Sequence, residues 1–244
     1  MANEGADAIR FTRAVLDHCA GVERVTFFAV LDNATTDNSL EILKDFARSE
    51  PRLKVVWAPE NRCVVDAYVR GYREALAGGC EWILEIDAGF SHQPNEIPSF
   101  LEKIGQGYDC VFGSRFIKGG HAVNYPKLKL GLNRCANLFL RLMFNIPLND
   151  TTNAFKAYRR EVIDGCRPVI SPHFNITVEL PLKAIVRGYS WTMIPITWRS
   201  RQTGTAKLKI KEMGSGYLLT CLYIWREKYL THRDHQSRSR KEVD

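Results

Sequence analysis

Short apolar runs alternate with segments of helical periodicity along the first half of this chain. The run 24–31 (RVTFFAVL) is rich in β-branched and aromatic residues, and the segment that follows, to Ala47, has apolar residues at close to helical spacing. The alternation continues with further apolar runs and helical segments at 53–57, 64–77, 82–86, 95–104 and 109–112. Strands alternating with helices of this length predict an α/β fold, with a mostly parallel sheet flanked by helices.

The second half of the chain is less regular, but no Pro/Gly/Ser-rich stretch divides it. We predict two helices and two strands, then a last amphipathic helix, at 128–144, 155–158, 176–186, 191–198 and 209–229. The sequence therefore predicts one domain over residues 1–230. We expect the charged tail, 231–244, to be disordered.

Net charge and cysteine content limit the possible partners and the redox environment of the protein, but they do not identify its function. The 244 residues carry a net charge of +7, which favours nucleic acid, anionic lipid headgroups or phosphorylated small molecules as partners. The seven cysteines are scattered without a CxxC pair, as in reduced thiols of a cytosolic protein. The apolar run 217–225 is shorter than the roughly 20 residues needed to span a bilayer, so we expect no membrane crossing.

Polar loops follow the predicted strands at the edge where α/β sheets bind ligands. The loop 32–39 (DNATTDNS) places Asp32 and Asp37 directly after the first strand. Aspartate and asparagine also favour turns and helix caps, so a purely structural role is one interpretation. The other is that Asp32 accepts hydrogen bonds from a nucleotide base or ribose.

Two further loops carry charged residues suited to phosphate chemistry. Asp87 follows the strand 82–86, and a carboxylate there suits a divalent metal that bridges a diphosphate. The other interpretation is that Gly89 and Pro94 simply shape a turn before the next helix. Arg115 ends the next strand, and its guanidinium fork suits a phosphate, although an exposed arginine is usually just solvated.

Two loops of the second half add an acid and a group of bases. Asp150 opens the segment 150–155 (DTTNAF), and Arg201 and Lys207 lie in the segment 198–208. The latter fits a lid over phosphates as well as it fits an ordinary surface turn.

Seven blocks in this order and at these spacings resemble the motifs of family 2 glycosyltransferases over nearly the whole chain. The pattern is most similar to that of the dolichyl- or polyprenyl-phosphate mannose synthases. The blocks are Asn3-Glu4, 32–39, 87–92 (DAGFSH), 113–115 (GSR), 133–137 (NRCAN), 150–155 and 201–207 (RQTGTAK). The resemblance implies a GT-A fold, a nucleoside diphosphate sugar donor, and transfer of a hexose with inversion to a polyprenyl phosphate such as dolichyl or undecaprenyl phosphate.

The resemblance also implies roles for individual residues. It assigns the donor nucleotide to one group, namely Asn3, Glu4, Asp32 and Asp37, and a Mg²⁺ or Mn²⁺ ion with the diphosphate to Asp87. It assigns the acceptor phosphate to a second group: Arg115, Lys129, Asn133 and Arg134. Arg201 and Lys207 would close over the diphosphate. Because a phosphate oxygen is already anionic near neutral pH, catalysis would rest on positioning and on neutralising the leaving diphosphate.

Two features depart from the family pattern. Gly89 replaces the second aspartate of the metal motif, and Glu85, two residues before Asp87 on the same strand face, is a hypothetical replacement ligand. The strand that should precede Asn3 is absent from the sequence, and we expect the natural start to lie upstream.

Two other functions compete with a lipid phosphate acceptor. A glycan hydroxyl acceptor would need a general base such as Asp150, and a degenerate sugar-nucleotide binder would show no turnover. Basic residues concentrate in the motif loops of the second half, which favours an anionic lipid and argues against nucleic acid. The helix 209–229 fits either an interfacial helix or one packed on the sheet. If it is interfacial, it predicts a peripheral protein at the inner, cytoplasmic face of a membrane, which is the location that we expect.

Overall fold

The computed structural model describes residues 1–5, 7–171, 176–200 and 210–230. The predicted tail, 231–244, lies outside these residues, so its disorder and the domain limit at residue 230 stay predictions.

Helices and strands alternate through the described part of the chain, as the sequence predicts. The helices are α1 Ala8–Asp17, α2 Ser39–Ala47, α3 Val64–Ala77, α4 Ile97–Gly105, α5 Lys127–Phe144, α6 Arg160–Gly165, α7 Ile176–Val186 and α8 Ile210–Leu230. The strands are β1 Phe27–Leu31, β2 Leu53–Trp57, β3 Trp82–Glu85, β4 Cys110–Ser114, β5 His121–Val123, β6 Lys156–Arg159, β7 Trp191–Pro195 and β8 Thr197–Arg199. A short 3₁₀ helix, Pro94–Glu96, leads into α4.

The described strands form three sheets. Strands β1 and β2 pair in parallel, and β5 pairs in parallel with β8. The four-stranded sheet has the order β3-β6-β4-β7, in which β4 and β7 are parallel and β6 is antiparallel to both of its neighbours. The α/β architecture is therefore confirmed, with an antiparallel strand that the alternation of elements did not reveal.

Strand β4 lies at the centre of the core, and all of its residues are buried. Cys110 and Phe112 pack into a cluster with α3, α5 and α7, whereas Val111 packs with α1 and α4 on the opposite face. Side chains that alternate between two apolar clusters indicate a strand covered on both faces, which explains why its sequence is an unbroken apolar run.

The predicted strand 191–198 divides into β7 and β8. Proline at position 195 has no N–H group to donate to a sheet, and the chain leaves the central sheet there. Strand β8 then pairs with β5, a three-residue strand that the sequence did not predict. The division carries Trp198 away from the central sheet and toward the loop after β3, where it bridges His92.

Helix α8 packs against α7 and α5. Arg187 of α7 and Glu227 of α8 form a buried ion pair, with Nε and Oε1 2.6 Å apart. The other side of α8 keeps large apolar side chains exposed, including Leu219 and Leu222. Among the helices in the described ranges, none is long and apolar enough to cross a bilayer.

Candidate active site

The opening residues and the loop after β3 meet around one cavity of about 900 Å³. Polar and aromatic residues from distant segments line it, including Glu4, Glu85, Asp87, Ser91 and Trp198. Most of the other predicted site residues lie outside this lining, among them Asp32, Asp37 and Arg115. The structure therefore brings together only part of the predicted constellation.

Asn3 joins the opening segment to the loop between β1 and α2. Its side-chain amide donates to the carbonyl of Ala34 at 3.0 Å, and its Oδ1 accepts from the N–H groups of Thr36 and Asp37 at 2.8 and 3.2 Å. Its φ of 59° lies in the left-handed region, which asparagine tolerates better than most residues. Asn3 therefore shapes the loop, and its predicted contact with the nucleoside stays a prediction.

The two carboxylates of this loop have different surroundings. Asp37 accepts hydrogen bonds from the N–H groups of Ser39 and Gly5 at 3.0 and 2.9 Å, and hydrogen bonding, mainly to Ser39, lowers the pKa of Asp37. Asp32 accepts from the N–H of Ala34 at 2.9 Å and is half-buried. The structural interpretation therefore applies first to Asp37, and Asp32 remains the candidate for nucleoside binding.

Asp87 presents an accessible carboxylate to the cavity, with 39% of its side chain exposed. The hydroxyl of Tyr68 donates to its Oδ1 at 3.2 Å, and Nδ1 of His92 lies 3.8 Å from its Oδ2. Burial lowers the pKa of His92 to about 4, so this imidazole is neutral near pH 7 and the contact is not an ion pair. The His92 imidazole therefore does not neutralise the Asp87 carboxylate, which faces the cavity.

Glu85 lies deeper, in a buried hydrogen bond with Tyr72. The hydroxyl of Tyr72 donates to Oε2 of Glu85. Burial raises the pKa of Glu85 to about 7, opposed by the nearby positive charge of Lys156. The carboxylate hypothesised as a replacement metal ligand is thus bound to a tyrosine and only partly ionised at neutral pH.

Lys156 lies opposite Glu85 in the β3–β6 ladder and holds two segments together. Its ammonium donates to the carbonyl oxygens of Thr151 and Thr177 at 3.0 and 2.8 Å, and also to that of Asn153. Because burial disfavours the charged form, the pKa of Lys156 is lowered to about 8. Three carbonyl oxygens compensate for the water that a buried ammonium loses.

Arg115 and Asp150 form a buried ion pair with two parallel contacts. Arg115 Nε donates to Asp150 Oδ2 at 2.8 Å and Nη2 donates to Oδ1 at 2.7 Å, while the backbone N–H of Arg115 also reaches Oδ2 at 2.9 Å. Both side chains are almost fully buried. This geometry argues against Asp150 as a general base, because both of its oxygens already accept from Arg115. Arg115 uses Nε and Nη2 on Asp150, and its predicted contact with the acceptor phosphate stays a prediction.

Hydrogen bonds tie this pair to α5. Thr152 Oγ1 accepts from Arg115 Nη2 at 3.0 Å and from Asn133 Nδ2 at 2.7 Å. One turn along the helix, Oδ1 of Asn137 accepts from the N–H and the hydroxyl of Thr151 at 2.7 and 2.8 Å. Asn133 therefore positions the loop after Asp150, and the loop fixes the first half of α5.

The predicted acceptor-phosphate residues lie along this part of α5 and beside it. Arg134 is exposed, with its guanidinium 4.9 Å from the ring centroid of Phe116. Lys129 is half-buried one turn earlier on the helix. Arg115 and Asn133 approach to 3.5 Å, so the four predicted residues share one region.

Strand β8 closes the other side of the site. The Trp198 ring lies 4.7 Å from the Tyr125 ring, and the N–H of Arg199 donates to the carbonyl of Ser91 at 2.8 Å. These contacts place the chain beside the Asp87 loop as far as Ser200. Arg201 and Lys207 lie outside the described residues, so their predicted closure over a diphosphate stays a prediction.

The family model described as glycosyl transferase family 2 matches residues 3–166, well over half of the chain. The match spans the opening segment, the loops after β1 and β3, and the Arg115–Asp150 pair. The chain belongs to glycosyl transferase family 2. It is therefore a glycosyltransferase, and the resemblance of its motifs to this family is confirmed.

The names of three curated relatives of this family 2 enzyme all refer to mannose and to a polyprenol-type lipid. The chain is 30% identical over 182 residues to a polyprenol monophosphomannose synthase of Mycolicibacterium smegmatis, covering 73% of this chain and 69% of the relative. It is 28% identical to an undecaprenyl-phosphate mannosyltransferase of Micrococcus luteus, covering 73% and 74%. A dolichol-phosphate mannosyltransferase of Pyrococcus furiosus is 29% identical over 75% of this chain and 50% of its own length.

Solved structures confirm the fold of the family 2 domain. Glucosyl-3-phosphoglycerate synthase of Mycobacterium tuberculosis, in complex with Mg²⁺ and uridine diphosphate, superposes with a TM-score of 0.61 over 92% of this chain and 76% of its own. The same enzyme with Mn²⁺ and uridine-diphosphate-glucose gives a TM-score of 0.60. At 16% identity these likenesses establish the GT-A fold and leave the chemistry of this chain to its own residues.

The residues described around Asp87 fit a cation that is also bound by a substrate. Within the described ranges, no group of three or more His, Cys, Asp or Glu residues is placed to hold a metal ion. Gly89 has a φ of 76°, a conformation that glycine adopts without steric cost, and it brings no ligand. Asp87 remains as the candidate metal ligand of this motif. Mg²⁺ is commonly bound by one or two carboxylates together with substrate phosphates and water.

Several residues that shape the site were missed by sequence reasoning. The main ones are Tyr68, Tyr72, His92, Asn137 and Lys156. Two signals were available in the sequence. Tyr68 and Tyr72 are four residues apart on a predicted helix and so share one face, and Lys156 interrupts an apolar strand.

Proposed function

We propose that this family 2 enzyme transfers a mannose residue, with inversion, from a nucleoside diphosphate sugar to a polyprenyl phosphate. The observation that carries the proposal is the two-sided character of α5. Its residues Asn133 and Asn137 bind the loop that holds the Arg115–Asp150 pair, whereas Leu128 and Leu142 are 77% and 73% exposed. A polyprenyl phosphate has the matching composition, an anionic group joined to a hydrocarbon chain. The names of the curated relatives support the same acceptor.

The state of Asp150 favours a phosphate acceptor over a glycan hydroxyl. A hydroxyl must lose a proton as it attacks, so its transfer needs a general base. Asp150, the base predicted for that reaction, is buried and bound to Arg115 through both oxygens. A phosphate oxygen that is already ionised attacks the anomeric carbon without such help, and a single displacement inverts that centre.

We assign the donor to the cavity side of the site. Asp87 would hold a Mg²⁺ or Mn²⁺ ion together with the diphosphate, and the hydroxyl of Tyr68 binds the carboxylate from behind. The cation would supply positive charge to the leaving diphosphate. Asp32 would bind the nucleoside, in the loop that Asn3 and Asp37 shape.

The acceptor headgroup would bind between the Asp87 loop and the first half of α5. Lys129 and Arg134 would supply its positive surroundings, and Asn133 orients the adjoining loop. Trp198 and Tyr125 form an aromatic wall on the same side, which excludes water from the reacting groups.

Both α5 and α8 keep large apolar residues exposed, and we propose that these residues rest on the inner, cytoplasmic face of a membrane. We call them the α5–α8 face: Leu128, Leu132, Leu138, Phe139, Leu142, Leu218, Leu219, Leu222, Tyr223, Tyr229 and Leu230. Exposed apolar groups beside basic residues are typical of helices that lie in a membrane interface. Docking there would place the acceptor phosphate at the site while its chain stays in lipid.

A panel of nucleoside diphosphate hexoses tested with a short-chain polyprenyl phosphate addresses the reaction directly. We expect a polyprenyl-phosphate hexose, detected by mass spectrometry, with a mannose donor and a divalent cation. The matched control is the polyprenol that lacks the phosphate, which should give no product. Transfer to the alcohol, or hydrolysis of the donor without transfer, would overturn the proposed acceptor.

A further inference from the structure

The imidazole of His92 is a buried polar group without a hydrogen bond. Its side chain is 1% exposed, and within the described part of the chain neither Nδ1 nor Nε2 has a hydrogen-bond partner. Burying an unpartnered polar group lowers stability, and an apolar ring of similar shape would avoid that loss. Native proteins seldom keep such a group, so an unpartnered imidazole at an active site indicates a functional role.

Contacts on two sides fix the position of this ring. Its centroid lies 5.3 Å from that of the Phe155 ring. The backbone of His92 pairs with Trp198 in an isolated β-bridge, and the carbonyl of Ser91 accepts from the N–H of Arg199 at 2.8 Å. Turning the imidazole toward solvent would break these contacts, so its nitrogens are held in place.

The carboxylate of Asp87 lies beside one of these nitrogens, with Nδ1 of His92 and Oδ2 of Asp87 3.8 Å apart. A hydrogen bond between nitrogen and oxygen is shorter, about 2.7–3.2 Å. Bonds from a metal ion to nitrogen or oxygen are about 2.1 Å, so two ligands of one cation lie at most about 4.2 Å apart. The separation therefore suits two atoms that bind the same cation better than two that share a proton.

The protonation state of His92 and the exposure of Asp87 agree with this arrangement. Burial lowers the pKa of His92 to about 4, so near pH 7 the imidazole is neutral and one nitrogen has a free lone pair. The Asp87 side chain is 39% exposed and lines the cavity, so a cation can reach the pair from the Asp87 side.

A nitrogen ligand would also change which cation the site prefers. Carboxylate, phosphate and water oxygens suit Mg²⁺, whereas imidazole suits first-row transition metals. The chain has Gly89 in place of the second motif aspartate, and the carboxylate of Glu85 is bound to Tyr72. A histidine in the same motif would restore a second protein ligand and alter the selectivity of the site.

We propose that His92 binds, through Nδ1, the cation held by Asp87, and that this nitrogen makes the site prefer Mn²⁺ or Co²⁺ to Mg²⁺. The remaining coordination positions would be filled by diphosphate oxygens and water. The inference rests on the metal site that the proposed function assigns to Asp87.

Electron spin echo spectroscopy of bound Mn²⁺ tests for the nitrogen directly. The protein is labelled with ¹⁵N-histidine and loaded with Mn²⁺ and uridine diphosphate, and separately with guanosine diphosphate. We expect modulation from a coupled ¹⁵N nucleus, which only histidine can supply because the nucleotide is unlabelled. His92→Gln should lose this modulation. The matched control is His18→Gln, at an exposed residue after α1, and it should keep the modulation.

Cation affinities separate a metal ligand from a packing residue. His92→Phe keeps a ring beside Phe155 and removes both unpartnered nitrogens, so the metal-free variant should unfold at the same temperature as the wild type or higher. By calorimetry with the same nucleotides, we expect it to bind Co²⁺ at least about tenfold more weakly. Its affinity for Mg²⁺ should change by less than about threefold, because Mg²⁺ prefers oxygen ligands.

The possible failures of the proposal are distinguishable. Mn²⁺ that binds without ¹⁵N modulation, or modulation that persists in His92→Gln, would overturn the role of His92 and leave Asp87 as a ligand. Equal losses of Co²⁺ and Mg²⁺ affinity in His92→Phe would show that the ring acts through packing alone. Mn²⁺ binding that is unchanged in Asp87→Asn would overturn the metal site of the proposed function itself, and the role of His92 with it.

Discussion

The buried ion pair between Arg115 and Asp150 compensates each side chain for the hydration that it loses on folding. We expect Arg115→Ala to lower the free energy of unfolding by about 3–5 kcal/mol, because it leaves a buried carboxylate without its charged partner. Urea denaturation measures the loss. The matched control is Arg48→Ala, which breaks an exposed contact with Asp45 and should change stability by less than about 1 kcal/mol. Equal effects of the two substitutions would show that the 115–150 pair is not buried in solution.

Glu85 gives the protein a pH-dependent stability. Its folded-state pKa of about 7 lies above the usual carboxyl value of 4.5, so the folded protein holds an extra proton between these values. The contribution of Glu85 is therefore complete below pH 4.5 and is lost as the pH rises through 7. Glu85→Gln keeps an acceptor for Tyr72 and removes the titration.

Urea denaturation of both proteins at pH 5 and pH 8 measures this contribution. We expect the wild type to lose roughly 2–3 kcal/mol more stability than Glu85→Gln over this interval, since one pKa unit corresponds to about 1.4 kcal/mol. Groups remote from Glu85 titrate in both proteins and cancel in the difference, whereas the coupled Lys156 contributes to it together with Glu85. Parallel pH profiles would contradict the assignment.

The affinity for Mn²⁺ should distinguish the role of Asp87 from that of Glu85. We expect Asp87→Asn to weaken Mn²⁺ binding, measured with a nucleoside diphosphate present, by at least about tenfold. Glu85→Gln should leave the affinity unchanged, because its carboxylate is buried against Tyr72. Weaker binding in Glu85→Gln would restore Glu85 as a replacement for the aspartate missing at Gly89.

At the level of elements, the exposed leucines of α5 predict how the protein meets a membrane. We expect the double substitution Leu128→Ser, Leu142→Ser to lower affinity for vesicles of anionic lipid by about tenfold or more, because it removes apolar area that lipid would cover. Vesicle co-sedimentation measures it. Val22→Ser, at a residue 37% exposed outside the α5–α8 face, is the control and should bind as the wild type does. Unchanged binding in the double variant would remove α5 from the membrane contact.

Elements with local determinants were predicted well from the sequence. Helix α3 and strand β2 begin and end where the pattern places them, because periodicity and the glycines after Ala77 are local signals. Strand β8 was not separated from β7, because its partner β5 is remote in sequence. The direction of β6 was likewise missed, since pairing direction depends on the tertiary fold and not on the strand's own residues.

The residues of the candidate site were likewise predicted well where the signal is local and poorly where it depends on tertiary contacts. Motif spacing located the Asp32, Asp87 and Arg115 loops, because each follows a recognisable strand. It did not reveal that Arg115 binds Asp150, 35 residues away, or that Glu85 binds Tyr72. Residue type alone cannot tell a ligand-binding charge from one that another side chain neutralises.

For the molecule as a whole, the net charge of +7 predicts a salt-dependent attachment to anionic lipid. Raising the salt from 50 to 500 mM shortens the screening length to a few ångströms, and we expect binding to anionic vesicles to fall by about tenfold. Vesicles of neutral lipid serve as the control and should show little change. Binding that is equally strong at both salt concentrations would mean that apolar contact alone attaches the protein.

The single ammonium of Lys156 makes remote parts of the molecule depend on each other. It binds the backbone at Thr151, in the loop after Asp150, and at Thr177, in the first turn of α7. Helix α7 is in turn coupled to α8 by Arg187 and Glu227. A tilt of α8 would therefore act on the loop after Asp150 through three charged side chains, Glu227, Arg187 and Lys156, which connect the helix farthest along the described chain to that loop.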